Sequence, residues 1–214
     1  MLTNQRQSRS QGRGSAVFDS SIKSFNSKNE TIISEDTPCL LPPMLTGDKQ
    51  RDYTLVLDLD ETLVHFDQAR RVYKIRPLCL RFLRELCQIY EIVIFTAAHE
   101  TYANFILDKL DPNKEYITHR LYRQHTTLVR GAFVKDLSRL GRPLKRTLII
   151  DNLKENFERQ KDNGIECYSW VGSTYDRQLL TLLNFLTEMA LEKPDDIRPH
   201  IAEFKLTFNV SHYT

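Results

Sequence analysis

The stretch "YTLVLDLDETLVH", residues 53–65, joins a continuous apolar run to a group of acids. The run "TLVLD" (54–58) has the length of a strand, and continuous apolar strands are typical of parallel sheets that are covered on both faces. Three acidic residues, Asp58, Asp60 and Glu61, lie within four positions. This arrangement predicts a buried strand that ends at a polar site.

Two later stretches repeat the combination of an apolar run and a polar end. They are "IVIFT" (92–96) and "TLIID" (147–151), and Asn152 follows the second directly. A further strand-like stretch is "GIECYSW" (164–170). Apolar residues at helical spacing lie between or after these stretches, at Leu78, Phe82, Leu86 and Ile89, at Tyr102, Ile106 and Leu110, and from Leu179 to Met189. The alternation predicts an α/β fold with a doubly wound, mainly parallel sheet flanked by helices.

Two regions outside this alternation have weaker patterns. The segment from about Lys114 to Ala132 alternates between apolar and polar residues, which predicts a small β insertion over the site. The last stretch, "EFKLTFNVSHYT" (203–214), also begins with a strand-like alternation. On these patterns alone, strand structure is expected at both places.

The composition limits the possible functions. The chain has 214 residues, of which 41% are hydrophobic, and its formal net charge is only +2. This length suits one well-buried domain, and the balanced charge argues against charge-driven binding to nucleic acid or to an anionic membrane surface. No run approaches the roughly 18 apolar residues of a membrane span. The four cysteines lack the spacing of a metal site, which favours reduced thiols and a nuclear or cytoplasmic location.

The amino-terminal part differs in composition from the rest. Residues 1–50 are rich in Ser, Asn, Gln and Arg, which predicts a disordered tail. Three early arginines superficially suit a mitochondrial presequence, but the glycines beside them and the scarcity of apolar residues argue against an amphipathic helix there. The folded domain is expected at 51–192, with a carboxy-terminal extension at 193–214.

The polar ends of the three apolar strands are candidates for one site. Ligands of open parallel sheets bind beyond the carboxyl ends of the strands, so Asp58, Thr96 and Asp151 are expected to converge. Asp58 and Asp60 are two positions apart, and both carboxylates project to one side if the chain stays extended. Acids this close together repel each other unless a cation lies between them. Mg²⁺ suits such hard oxygen ligands and keeps positions open for water and phosphate.

These residues also have simpler explanations. Acids that follow a strand often cap helices or form turns, and D-x-D-x-T alone is a weak motif. A lysine such as Lys135 is usually solvated. However, a polar residue ends each apolar strand, and Lys135 lies upstream of the third. This repetition favours an active site over a set of turn-forming acids.

Four longer motifs carry a resemblance to a known family. They are "DLDETLVH" (58–65), "FTAAHETYA" (95–103), "FVKDLSRLGR" (133–142) and "LIIDN" (148–152). In order and spacing they resemble the four motifs of the haloacid dehalogenase superfamily. Across Tyr53–Met189 the chain is similar to the small protein phosphatases that act on the carboxy-terminal domain of RNA polymerase II, also called nuclear-LIM-interactor-like factors.

The resemblance implies a magnesium-dependent phosphatase of phosphoserine and phosphothreonine in proteins. Asp58 would be the nucleophile that forms an aspartyl-phosphate, and Asp60 the general acid and base. The expected ligands of Mg²⁺ are Asp58, the Asp60 carbonyl, Asn152 and, directly or through water, Asp151. Each of these roles is an implication of the resemblance.

The resemblance also implies the groups that hold the phosphate. Thr96 and Lys135 are expected to act as catalytic and phosphate-binding residues, together with the backbone that follows Thr96 at Ala97. Without the family motif, the simpler reading of Thr96 is a strand-end hydroxyl.

Three further residues are expected to contact the substrate. Arg123 resembles a family arginine near the substrate, although pairing with a surface acid would explain it equally well. Tyr102 faces either the substrate or the core. His99 stands in the substrate-facing loop, where relatives often carry an apolar residue.

The implied partner is a phosphorylated protein, including peptides like the polymerase tail, and a monomer is expected. Two other functions stay open. One is a catalytically silent binding module, as in relatives that serve mitochondrial protein import, which typically alter the acid motif. The other is a phosphatase of small metabolites or lipids. The segment 66–75 is shorter than in polymerase-directed relatives, and Leu153 and Lys154 replace the usual Ser-Pro, so the substrate is not assigned by the resemblance.

Overall fold

Five parallel strands form the central sheet of the computed structural model, which describes residues 38–47 and 50–210. They are β1 (Tyr53–Leu57), β4 (Tyr90–Phe95), β5 (His119–Leu121), β8 (Thr147–Asp151) and β9 (Gly164–Glu166). The strand order is β5-β4-β1-β8-β9, and every neighbouring pair is parallel. The chain therefore adds strands on one side of β1 and then returns to add strands on the other. This confirms the predicted doubly wound α/β fold.

Side chains of the strands alternate between two hydrophobic clusters, one on each face of the sheet. Leu55 and Leu57 of β1 lie in one cluster, and Val56 lies in the other. In β4, Ile94 and Phe95 divide in the same way. Burying one such side chain stabilises the fold by about 1.5–3 kcal/mol. Because both faces need apolar side chains, the strands appear in the sequence as continuous apolar runs.

Two short antiparallel hairpins accompany the sheet. The first pairs β2 (Val64–Asp67) with β3 (Val72–Ile75), and the second pairs β6 (Thr127–Val129) with β7 (Ala132–Val134). The second hairpin supplies part of the predicted β insertion. The rest of that prediction is wrong, because β5 pairs with β4 and extends the main sheet. The first hairpin, within the short segment 66–75 and its flanks, was not predicted.

Four α-helices pack into the larger of the two clusters. They are α1 (Cys79–Leu86), α2 (Glu100–Leu110), α3 (Gln178–Glu192) and α4 (Arg198–Val210). The helix α2 ends before Asp111, as the following Asp-Pro predicts, and the Asp111 carboxylate accepts backbone hydrogen bonds from the turn at 115–117. Short 3-10 segments, among them 137–140 and 154–163, contribute to the cluster on the opposite face.

The strand-like reading of the last stretch is wrong, because α4 is a helix. Ile197, Ile201 and Phe204 recur at helical spacing, and Ile197 and Ile201 are fully buried. Phe204 stacks on Phe185 of α3, with ring centroids 4.2 Å apart. The helical spacing of these apolar residues therefore determines the structure of the segment. The strand-like alternation begins only at residue 203 and includes only part of the helix.

Residues that precede the sheet also pack against it. Leu41 is buried in the smaller cluster, and the Leu40 N–H donates to the Arg139 carbonyl at 2.7 Å. The Arg142 guanidinium donates to the Pro42 carbonyl and, through two nitrogens, to the buried Glu91 carboxylate. Residues 40–42 thus belong to the packed structure although they fall within the predicted tail.

The predicted division into 1–50, 51–192 and 193–214 stays a prediction. Residues 1–37, with the arginines that suggested a presequence, lie outside the described residues, as do 48–49 and 211–214. Within the described ranges, no helix has both the length and the apolar character to cross a membrane.

Candidate active site

Three neighbouring strands end at the same edge of the sheet and bring their polar residues together. Asp58 follows β1, Thr96 follows β4 and Asp151 ends β8, and all three residues are buried. A cleft of about 410 Å³ opens at this edge. Its lining includes the predicted residues Asp58, Asp60, Thr96, Ala97, His99, Tyr102, Arg123 and Asn152. The predicted Lys135 and Asp151 are fully buried and lie outside this lining.

Lys135 lies between two carboxylates. Its Nζ donates to Asp58 Oδ1 at 2.5 Å and to Asp151 Oδ2 at 2.6 Å. Burial lowers the pKa of Lys135, but the two carboxylates outweigh burial and raise it. The ammonium therefore stays charged and joins the ends of β1 and β8.

Asp58 is fixed on both sides of its carboxylate. Oδ1 accepts from Lys135, and Oδ2 accepts from the Thr62 hydroxyl at 3.0 Å. Its backbone N–H donates to the Ile150 carbonyl at 3.0 Å, which extends the ladder between β1 and β8 by one residue. Burial raises the pKa of Asp58, and Lys135 opposes this rise only in part. Additional positive charge in the cleft would therefore favour the ionised carboxylate.

Asp60 carries a hydrogen bond from an aromatic hydroxyl. Tyr102 Oη donates to Asp60 Oδ1 at 2.7 Å, so Tyr102 faces the cleft as well as the core. Burial raises the pKa of Asp60, while the Tyr102 hydrogen bond lowers it and so reduces the net rise. A carboxyl with a raised pKa keeps its proton more readily and can serve as a general acid near neutral pH.

Arg123 and the chain after Thr96 form another part of the cleft. Arg123 Nε donates to the Ala97 carbonyl at 2.5 Å, and its guanidinium carbon lies 4.7 Å from the centre of the Phe133 ring on β7. Arg123 Nη1 lies 3.1 Å from His99 Nε2. Because Arg123 lines the same cleft as Asp58, an anion bound there meets a guanidinium.

The oxygen ligands expected for magnesium divide into two groups. Asp58, Asp60 and Asn152 line the cleft, and the Asn152 amide nitrogen donates to Ser169 Oγ at 2.9 Å. Asp151 accepts hydrogen bonds from Lys135, from the Asn156 amide and from the Leu153 N–H. These bonds occupy both of its oxygens, so its position suits orientation of Lys135.

The chemistry of the cleft donors fits magnesium. A carboxylate, an amide oxygen and a backbone carbonyl are hard oxygen ligands of the kind that Mg²⁺ takes, and the open side of the cleft leaves room for water and phosphate. Within residues 38–47 and 50–210, no group of three or more His, Cys, Asp and Glu side chains could hold a metal ion. A magnesium site in this cleft would therefore consist of the Asp58 carboxylate, the Asn152 amide oxygen and the Asp60 backbone carbonyl.

A family comparison now identifies the domain. Residues 53–198 match the sequence model of the NLI interacting factor-like phosphatase family. The chain belongs to this family. The match includes every residue of the cleft described above and confirms the resemblance drawn from the four motifs.

Curated relatives of this NLI interacting factor-like phosphatase domain carry two kinds of name. One is CTD small phosphatase-like protein 3 of Caenorhabditis elegans, 44% identical over 63% of this chain and 53% of the relative. Another is CTD small phosphatase-like protein 2 of Dictyostelium discoideum, 41% identical over 79% of this chain and 32% of the relative. A third is mitochondrial import inner membrane translocase subunit TIM50 of Homo sapiens, 36% identical over 86% of this chain and 53% of the relative. The chain thus spans about half or less of the length of these relatives.

The predicted nuclear or cytoplasmic location is wrong by this comparison. Translocase subunits of the mitochondrial inner membrane are similar to the chain in several species, at 36–40% identity over 80–86% of its length. The cysteine spacing on which that prediction rested does not distinguish one reducing compartment from another.

The loop that carries the acids of the NLI interacting factor-like phosphatase domain is held by distant residues. Arg76 is fully buried and donates to the Thr62 carbonyl at 3.0 Å. Arg76 also forms two hydrogen bonds with the Asp176 carboxylate, at 2.8 and 2.9 Å. The Trp170 N–H donates to the Glu61 carbonyl at 2.7 Å. The loop is thereby fixed to a part of the chain about one hundred positions away.

Several of these residues were missed by the sequence analysis. Thr62 is the threonine of the D-x-D-x-T motif, so its contact with Asp58 could have been predicted from the motif. Arg76 precedes Pro77 at the start of the first helical pattern, and no motif marks its contacts with the acid loop. Asn156 and Trp170 occur in stretches without a recognisable motif, and no sequence signal marks their contacts with the site.

Proposed function

We propose that this chain is a magnesium-dependent phosphatase of phosphoserine and phosphothreonine in proteins. Membership in a family of phosphatases supports the general chemistry. The observation that carries the specific proposal is the placement of Asp58, held by Lys135 and Thr62, in a cleft with Asp60. This placement supports the proposal, in which Asp58 is the nucleophile and Asp60 the acid for a phosphate ester bound in the cleft.

In the first step, an Asp58 carboxylate oxygen attacks the phosphorus in line with the ester oxygen. The bond between phosphorus and the serine or threonine oxygen breaks, and Asp60 gives its proton to the departing alkoxide. The products are the free hydroxyl and phosphorylated Asp58. The raised pKa of Asp60 helps the carboxyl to carry this proton when the substrate arrives.

In the second step, water attacks the phosphorylated Asp58. Asp60, now ionised, takes a proton from the water, and the bond between phosphorus and Asp58 breaks. Orthophosphate leaves, and both carboxyl groups return to their starting states. The Tyr102 hydroxyl stabilises the ionised form of Asp60 during this step, because it donates a hydrogen bond to the carboxylate.

Positive and hydrogen-bonding groups hold the phosphoryl oxygens and the nucleophile. Arg123 offers N–H donors from the wall of the cleft, and Thr96 lies at its floor. Lys135 keeps Asp58 oriented through its bond to Oδ1. When Mg²⁺ is bound by Asp58, the Asp60 carbonyl and Asn152, it supplies positive charge that screens the repulsion between the carboxylate and the phosphate.

The proposal is tested with the full chain and p-nitrophenyl phosphate. We expect hydrolysis that requires magnesium, is lost on Asp58→Asn, and persists in the matched control Asp162→Asn, which changes an exposed aspartate. We also expect mass spectrometry to detect phosphate on Asp58 in Asp60→Asn, because removing the base slows the second step. Normal turnover by Asp58→Asn would eliminate the nucleophile assignment.

A second function, phosphoprotein or peptide binding without hydrolysis, is favoured by the similarity to translocase subunits. The complete set Asp58, Asp60, Lys135 and Asp151 argues for hydrolysis. If the chain binds phosphopeptides tightly and never releases phosphate, the binding function is correct. A phosphopeptide array beside a panel of phosphorylated metabolites distinguishes protein substrates from small molecules.

A further inference from the structure

A histidine and an arginine meet at the side of the candidate active site. His99 Nε2 lies 3.1 Å from Arg123 Nη1. A guanidinium has only donors, so Nε2 must be the acceptor of this hydrogen bond. The imidazole is therefore neutral in this geometry and carries its proton on Nδ1.

The imidazole of His99 is available as an acceptor because it does not cap the helix that follows it. His99 is the residue before α2, and its backbone carbonyl accepts from the Ala103 N–H. Its imidazole makes no capping hydrogen bond to the helix and is exposed. Among the described residues, the hydrogen bond that the ring makes is the one to Arg123.

Arg123 is held from three sides. Nε donates to the Ala97 carbonyl, Nη1 donates to His99, and the guanidinium lies against the Phe133 ring. The two N–H groups of Nη2 and the second N–H of Nη1 have no partner within the described part of the chain. These donors form a fork of the kind that binds phosphate oxygens in pairs, and Arg123 lines the cleft.

We propose that His99 is a positioning residue that holds Arg123 ready as an anion clamp at the cleft. Ordering a free arginine costs up to about 2 kcal/mol of side-chain entropy, and a clamp that is already ordered avoids this cost when the anion binds. The identity of the anion as a phosphoryl group rests on the proposed function. The role of His99 is the added claim, and it concerns binding only.

Two substitutions separate the acceptor from the other properties of His99. His99→Gln keeps an acceptor at a similar reach and should retain the clamp. His99→Leu removes the acceptor, and the loss of one hydrogen bond predicts an increase of about 3–10-fold in the Kd for the anion.

The experiment measures orthophosphate binding to the full chain by titration calorimetry, and KM and kcat for p-nitrophenyl phosphate. We expect Kd and KM to rise in the order wild type, His99→Gln and His99→Leu, with kcat changed by less than about twofold. A KM effect without a kcat effect is the signature of lost ground-state binding, which a general loss of structure does not produce. The midpoint of thermal unfolding should stay the same, because the imidazole is exposed.

The matched control is Gln124→Ala. Gln124 is exposed, and its amide donates a 3.0 Å hydrogen bond to the Glu100 carboxylate. This bond, like the one between Arg123 and His99, joins the segment at 123–124 to the start of α2. If His99 acts only by joining these two segments, Gln124→Ala should reproduce the His99→Leu result. If His99 acts on Arg123, Gln124→Ala should leave Kd and KM unchanged.

The binding measurement keeps the inference separate from the proposed function. If the wild-type chain binds orthophosphate but never hydrolyses an ester, the proposed function fails, and the ranking of Kd among the variants still decides the role of His99. Equal Kd values for His99→Leu and His99→Gln overturn the inference. Absence of orthophosphate binding by the wild-type chain overturns it as well.

Discussion

Replacing Lys135 by methionine tests the electrostatic centre of the site. Methionine preserves most of the buried volume and removes the ammonium that contacts Asp58 and Asp151 at 2.5 and 2.6 Å. Breaking a buried ion pair by removing one partner costs about 3–5 kcal/mol, because the remaining charge stays buried. Since a single ammonium serves both carboxylates, we expect Lys135→Met to lower the free energy of unfolding by at least this amount near pH 7.5.

The loss should depend on pH in a defined direction. Burial raises the pKa of Asp58 even with Lys135 present, and without the ammonium the pKa rises further. A carboxyl whose pKa is higher in the folded than in the unfolded state takes up a proton on folding, so folding is favoured as the pH falls. The difference in stability between wild type and Lys135→Met should therefore be largest near about pH 8 and should shrink toward about pH 5.

Urea unfolding in the presence of a chelator provides the measurement. Trp170 is the one tryptophan of the chain and is buried beside the loop of the acids, so its fluorescence reports unfolding of the site. Lys154→Met makes the same chemical change at an exposed position and serves as the control. A loss below about 1 kcal/mol, or a loss that does not vary with pH, would refute the assignment of Lys135 as the shared counter-ion.

Two further predictions concern carboxyl groups with displaced pKa values. Burial raises the pKa of Glu91, but hydrogen bonds from Arg142 and His119 outweigh it and lower the pKa to about 2. Glu91 thus stabilises the fold above its unfolded-state pKa and loses this effect as the pH falls toward 2. In urea titrations at neutral pH, Glu91→Gln should lower the free energy of unfolding by about 3 kcal/mol relative to wild type. Between about pH 4.5 and 2, the free energy of unfolding should fall less in Glu91→Gln than in wild type. Tyr102→Phe removes the hydrogen bond that lowers the pKa of Asp60, so the alkaline limb of the kcat/KM profile should move to higher pH. An unchanged profile would show that Tyr102 does not influence the acid.

The strands that carry the site were predictable because their environment is simple. β1, β4 and β8 are covered on both faces, and this requirement appears directly as continuous apolar runs. Neighbouring parallel strands then bring Asp58, Thr96 and Asp151 to one edge. The roles of the site residues stay predictions, whereas their convergence in the fold is observed.

The parts that were missed depend on packing at a distance. In "GIECYSW" only Gly164–Glu166 forms a strand, because Trp170 leaves the sheet and donates its N–H to Glu61. The hairpin of β2 and β3 has exposed and half-buried side chains, including Phe66 and Tyr73, so it lacks the apolar signal of the main strands. In α4 the partner of Phe204 is Phe185 of another helix, and local alternation does not reveal that contact.

The anchoring of the acid loop by Arg76, Asp176 and Trp170 has a consequence for protein synthesis. Arg76 and its partner Asp176 are 100 positions apart. At about 5–20 residues per second, a ribosome needs about 5–20 s to travel between them. During this interval a nascent chain already contains Asp58 but lacks the residues that fix its loop, so the cleft takes its final form only after Asp176 has been added to the chain.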